Sequence, residues 1–274
     1  MTDDAPATTL DRLCVYPIKS LDGVDVDAAD LGAGGGLAPD REFALLDADG
    51  DYVNGKNERR IHRVRADHDL DARTVTLAAP HDGAEAPDAA TFSLDDDRGA
   101  IGSWLGSFLG YEVSMVGERP GGYPDDTELS GPTVVSTGTL REVASWFDGV
   151  SVDSMRRRLR ANVELASGEA FFEDRLVAEP GERVRVRVGD VDLFGVDPCR
   201  RCAVPARDPD TGEEYPDFRA RFIERREATM PPWSGGRRFD DVFQVMVNTA
   251  APEASVGGTL RVGDAVRIVG TDPE

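Results

Sequence analysis

Lysine is almost missing from this chain. Of its 31 basic residues only Lys19 and Lys56 are lysines, and the rest are arginines. Cysteine and histidine are nearly as scarce, at three residues each. Three cysteines allow at most one bridge, which excludes a disulfide-stapled scaffold. No apolar run approaches the ~20 residues a membrane-spanning helix needs. The acidic opening "MTDDAPATTLDR" has no signal-peptide apolar centre. These absences give the expectation of a cytoplasmic protein with no membrane partner.

Positive charge is the remaining shortage. The chain carries 52 acidic residues against 31 basic ones, a formal net charge of −21. The acids are spread along the 274 residues as a solvated shell, which would repel nucleic acid and anionic membranes. Acid enrichment with lysine nearly purged is the pattern of halophilic proteins, in which salt screens self-repulsion. That pattern raises a question: why are these two lysines kept?

What is present reads mainly as β-structure with a few helices, an α+β chain of one large or two modest domains. "DRLCVYPIKS" has strand-like spacing that Pro17 cuts short. "EFALLDADGDYVNG" predicts a hairpin turning at Asp49–Gly50, and "ARTVTLAAP" alternates as a half-buried strand does. "RVRVRVGDVDLFGV" predicts a second hairpin about Gly189–Asp190, and "LRVGDAVRIVG" repeats its design. Ile101, Trp104, Leu105 and Phe108 recur at helical spacing. Thr139 and Glu142 form a capping box ahead of Leu140, Val143, Trp146 and Phe147. "YPDFRARFIERR" predicts a third helix. The Gly/Pro-rich stretch 118–126 separates two blocks, 8–117 and 127–270.

Chemistry concentrates in "CRRCAVPARDPDTG", residues 199 to 212. A zinc clip would need a second ligand pair, and His62, His68 and His81 all lie in the other block. A redox CxxC should open a helix, whereas Pro205 and "DPDTG" predict a loop. A functional thiolate at Cys202 beside Arg200 and Arg201 remains, against the plain alternative that both cysteines only pack. Cys14, in the apolar "LCVYPI", reads as a buried small hydrophobe. Lys19 and Ser20 close one strand, and Lys56 and Asn57 follow the first hairpin. Arg160 and Asn162 stand two apart on what reads as an extended segment, facing one side. If they converge, these groups suit a phosphate.

The motifs "VYPIKSLDG", "DREFALLDADGDYVNGKNE", "LRANVEL", "CRRCAVPARDPDTG" and "GTLRVGDAV" resemble, in this order, those of MOSC proteins. These are relatives of the C-terminal domain of molybdenum-cofactor sulfurase. The chain is most similar to the two-domain type with an N-terminal β-barrel domain, typified by the mitochondrial amidoxime-reducing component. The resemblance covers roughly residues 8 to 270. It implies an N-terminal β-rich domain (8–117), a MOSC β-barrel (127–270) and a molybdenum cofactor in the cleft between them. It makes Cys202 the molybdenum ligand and catalytic residue. It gives Lys19, Ser20, Lys56, Asn57, Arg160, Asn162 and Arg201 as cofactor contacts, with Ser130 a further one. Lys56 stands where the family more often has arginine. Both retained lysines thus fall where an anionic cofactor needs fixed charge. The family is also associated with pyridoxal phosphate binding, which none of these motifs requires.

The implied activity is reduction of N-hydroxylated or N-oxide small molecules, with electrons from a separate donor protein because "CRRC" holds the last cysteine. A non-enzymatic carrier of the cofactor or of sulfur is the alternative reading. Two departures bear on substrate shape: Phe243 is followed by Gln244 where many relatives have glycine, and "EPGER" (179–183) reads as an insertion.

Overall fold

The computed structural model describes residues 8–80, 86–117, 119, 121–125, 131–239 and 241–274. Its first strand, β1 (Thr8–Val15), is followed by two short strands, β2 (Val24–Val26) and β3 (Ala28–Asp30). A block of small sheets comes next: β4 (Ala44–Asp47), β5 (Arg65–Asp69), β6 (Thr74–Ala78), β7 (Ala90–Ser93), helix α1 (Arg98–Leu109) and β8 (Val113–Val116). The remainder comprises β9 (Val134–Ser136), α2 (Thr137–Ser145), α3 (Val152–Leu159), β10 (Val163–Leu165), β11 (Glu182–Val188), β12 (Val191–Arg200), α4 (Phe218–Thr229), β13 (Gln244–Ala250), β14 (Thr259–Arg261) and β15 (Ala265–Pro273). The chain is mainly β with four helices, as its alternating patterns predict.

Seven strands close into a barrel in the order β10-β9-β13-β12-β11-β15-β1, with β1 pairing back onto β10. Closure leaves the barrel no free edge, and β2 lies outside it on β1. The β11–β12 hairpin is the one read from Gly189, whose φ of 56° suits glycine in the tight turn. Val184, Val186 and Val188 point into the barrel core with Leu10, Leu13, Leu193 and Val266. The chain's first strand is therefore a stave of the barrel built by its last residues.

The central block pairs β4 with β8 and runs β5-β6-β7 as a meander. Its core joins Ile18, Phe43, Leu45 and Val75 to the buried stripe of α1, in which Ile101, Trp104, Leu105 and Phe108 all take part. The hairpin read at Asp49–Gly50 turns there. Its second arm is a single bridge between Leu46 and Tyr52, because β4 takes β8 as its long partner. A third core lies outside the barrel, where α2, α3 and α4 bring Trp146, Phe147, Phe218, Phe222 and Phe243 together.

Three sequence readings are corrected. The cap of α2 is Ser136, whose hydroxyl accepts from the Thr139 N–H, and Thr139 itself is fully buried. Glu142 instead accepts from the Trp146 indole at 3.0 Å. "LRVGDAVRIVG" makes its tight turn, with the Arg261 N–H bonded to Asp264, but forms no hairpin: β14 pairs with β3 and β15 with β11 and β1. Residues 152–159 are helical, so Arg160 and Asn162 do not share an extended strand.

Candidate functional site

A cleft of about 1370 Å³ opens between the central block and the barrel. Its walls come from the ends of β1 and β12, the loop after α3, the turn at 54–56 and the loop at 204–210. Fourteen arginines and lysines line it against seven aspartates. A chain of net charge −21 thus keeps one strongly cationic hollow, and such a field concentrates anions.

Cys199 is the last residue but one of β12, and its sulfur accepts from the Arg201 guanidinium at 3.0 Å. Cys202, half-buried, lies just past the strand and faces the same cleft. Among the described residues nothing hydrogen-bonds its sulfur. The following residues form a loop with one 3-10 turn at Val204–Ala206, not a long helix. Among the described residues no three His, Cys, Asp or Glu side chains could together hold a metal ion. A metal at Cys202 would therefore need its other ligands from a bound cofactor.

Arg160 is the left-handed C-cap of α3 (φ 58°), a conformation that turns its side chain off the helix axis. Its guanidinium lies 4.1 Å from the centre of the Tyr16 ring. Among the described residues no carboxylate pairs with Arg160, Arg201 or Lys56. The buried Nε of Arg201 also lacks an acceptor, and its other nitrogens reach the Leu159 carbonyl and the sulfurs of Cys199 and Met246. Guanidinium groups left uncompensated in an acidic protein mark a place for an outside anion.

Lys19 is differently engaged. Its ammonium donates to the carbonyls of Tyr123 (3.0 Å) and Pro124 (3.2 Å), pairs with Asp125 at 2.9 Å and lies over the Tyr52 ring. Burial pushes its pKa down, and Asp125 holds it partly up. The Asp125 carboxyl, though burial raises it, is drawn down to about 2 by Arg41, Lys19 and Lys56. A carboxylate of the chain itself thus occupies Lys19. Asp125→Asn should tighten inorganic phosphate binding at neutral pH a few-fold, the scale of one partly exposed ion pair. Calorimetry on the two proteins checks this, and equal or weaker binding would show that Asp125 does not compete.

Ser20 lines the cleft with a φ of 80°, a backbone setting rare outside glycine and concentrated at functional sites. Asn57 does not line it. The Asn57 amide closes its own turn, donating to the Tyr52 carbonyl and accepting from the Asn54 N–H. Asn162 reaches the cleft wall, but its amide is used in stitching: it donates to the Cys14 carbonyl and accepts from the Thr133 N–H and hydroxyl. Ser130 lies outside the described residues.

Sequence reading weighed His62 only as a zinc ligand and set it aside. It sits in the turn 59–63, its ring packed on the Cα of Gly55, and it lines the cleft. Burial, then the nearby Arg160, Arg207 and Arg65, pushes its pKa below the usual histidine value against a hydrogen bond with the Gly55 carbonyl. The spacing of "ERRIHRVR" gives no sign of this, because only the fold brings the loop after Cys202 against it.

Comparison with known proteins matches residues 7–112 to the MOSC N-terminal beta barrel domain and residues 133–267 to the MOSC domain. The chain belongs to the two-domain MOSC family. Among curated relatives, this MOSC protein is 26% identical to mitochondrial amidoxime reducing component 2 of Bos taurus, over 94% of this chain and 82% of the relative. It is 26% identical to mitochondrial amidoxime-reducing component 1 of Danio rerio, over 73% and 69%. To the molybdenum cofactor sulfurase of Caenorhabditis briggsae it is 23% identical, over 78% of this chain and 31% of the relative. No helix among the described residues is long and apolar enough to cross a membrane.

Proposed function

We propose that this MOSC protein is a molybdenum-cofactor-dependent reductase of N-hydroxylated or N-oxide compounds, with Cys202 as the metal ligand. One observation carries the reading: Cys202 and uncompensated cations from both halves of the chain line a single cleft. A phosphate-bearing pterin with a thiolate-seeking metal fits those walls. Lys56 and Arg160 bring positive charge from opposite sides, the orphaned Arg201 Nε seeks an acceptor, and Cys202 offers a sulfur that none of the described residues engages. The names of the mammalian and fish relatives supply the reaction class.

In this reading Cys202 holds the metal, and Lys19, Ser20, Lys56, Arg160 and Arg201 hold the anionic tail. Asn162 acts one step back, keeping β1 and the 131–133 loop in place under the cleft. Its Thr133 and Cys14 bonds fix the wall from which Arg160 projects. The cofactor, when bound, supplies the two-electron chemistry that takes oxygen from an N–O bond. That chemistry needs electrons returned to the cofactor, and a separate electron donor protein is part of the reading.

The test is expression in a host that makes the cofactor, then molybdenum analysis, pterin analysis and benzamidoxime reduction with an artificial donor. Stoichiometric metal with turnover is expected. Metal and pterin without turnover would favour a cofactor or sulfur carrier, and absence of both would end the proposal.

A further inference from the structure

Arg207 stands in the loop that follows Cys202, between carboxylates that ignore it. Asp208 next to it pairs with Arg158 at 3.1 Å and accepts from the N–H groups of Asp210 and Thr211. Asp210 pairs with Arg157 at 2.9 Å and Arg65 at 3.0 Å. Among the described residues no carboxylate pairs with Arg207. One of its terminal nitrogens reaches the Gly212 carbonyl at 3.3 Å, and its buried Nε has no acceptor.

The loop is held firmly. Arg65 also donates to the Pro209 carbonyl at 2.9 Å, Arg157 to the same oxygen at 3.1 Å, and Gly212 lies against the Arg59 carbonyl. Arg207 is therefore a cation presented by a braced loop, not a side chain awaiting a partner on its own surface. It lines the cleft together with Cys202, His62 and Arg160. A buried guanidinium nitrogen without an acceptor costs stability, and an acidic protein had many carboxylates with which to satisfy it. The planar fork suits a carboxylate or similar anion.

We infer that Arg207 is a specificity-determining residue that seats an anionic group of the substrate, so that the favoured N-hydroxylated compounds carry a carboxylate or comparable anion. This inference rests on the reductase reading for the substrate's reactive end, but not for the anion seat itself.

The experiment compares 4-carboxybenzamidoxime with benzamidoxime, in binding by calorimetry and in reduction, for the cofactor-loaded wild type, Arg207→Gln and Arg207→Lys. The wild type should favour the carboxylated compound by about tenfold or more, the scale of a charge-assisted hydrogen bond. Arg207→Gln should bring that preference close to unity, and Arg207→Lys should keep part of it. Pterin and molybdenum content should be the same in all three proteins. If neither compound is reduced but the binding preference behaves as described, the anion seat stands and the reductase reading falls. A wild type without preference, a preference that survives Arg207→Gln, or loss of pterin from Arg207→Gln would overturn the inference. The last outcome would assign the arginine to the cofactor's own anion.

Discussion

Replacing Cys202 by alanine is expected to bring N–O reduction to background while the pterin stays bound. The separation follows from where the two kinds of contact lie. The sulfur of Cys202 has no hydrogen bond among the described residues and is only half-buried, so its loss costs the fold little. The cations proposed for the pterin's anionic tail come from elsewhere: Lys19 and Lys56 from the central block, Arg160 from the end of α3 and Arg201 from the barrel. None of them depends on that sulfur. Cys199→Ala is the control, because the Cys199 sulfur accepts from Arg201 and packs on the aromatic core. It should lower stability or pterin content somewhat and leave turnover measurable. Pterin fluorescence, molybdenum content and benzamidoxime turnover on the two variants check this. Undiminished turnover in Cys202→Ala would remove the residue from the metal.

The β11–β12 hairpin was readable because its signal is local. Alternation of Val184, Val186 and Val188 with arginines, followed by Gly189–Asp190, fixes a hairpin without reference to anything distant. The same local pattern misled at the C-terminus. "LRVGDAV" contains a genuine tight turn, but its first arm leaves for β3, a pairing across more than 220 residues that no short-range rule sees. Helix α3 was missed for a related reason. Three arginines at 156–158 interrupt the apolar stripe, leaving Met155 and Leu159 as the fully buried apolar residues of the helix, with Val152 packed beside them. The helix is held by Ser151 at its N-cap and by Arg156 pairing with Glu164, features that depend on its neighbours.

The site was legible in residue type and less so in role. The scarcity of lysine drew attention to Lys19 and Lys56, and both line the cleft. Asn162 and Asn57 matched the same motifs, yet their amides are bonded to the protein's own backbone. A sequence motif cannot separate a ligand contact from the residue that braces it. His62 was weighed only as a zinc ligand, and Arg207 was not singled out. Each lies among like residues in sequence, and each becomes notable only when the 204–212 loop meets the turn at 59–63.

The second large effect is expected far from the cleft, at Asp174 and Arg226. Both side chains are about 1% exposed. The Asp174 carboxylate pairs with the Arg226 guanidinium and accepts from the Ser234 hydroxyl, tying α4 and the loop after it to the turn 172–176. Arg226 also lies over the Phe171 ring at 3.7 Å. Asp174→Ala would leave a buried guanidinium that cannot shed its proton, a loss of about 3–5 kcal/mol. Arg226→Met differs in kind, because the abandoned carboxyl can protonate. Burial already raises the Asp174 pKa against the pull of Arg226, and without that arginine it would lie further above the unfolded value. The variant is therefore least impaired at low pH and loses about 1.4 kcal/mol per unit as pH rises from the unfolded carboxyl pKa towards the raised folded one. Glu173 next door already behaves in this way, its carboxyl pushed up to about 7 by burial and by the charge of Asp174. Urea unfolding of both variants at pH 5 and pH 7.5 reads the difference directly. Asp174→Ala should be the weaker protein at pH 5, and the gap should narrow at pH 7.5. Equal and pH-independent losses would mean that the pair contributes packing alone.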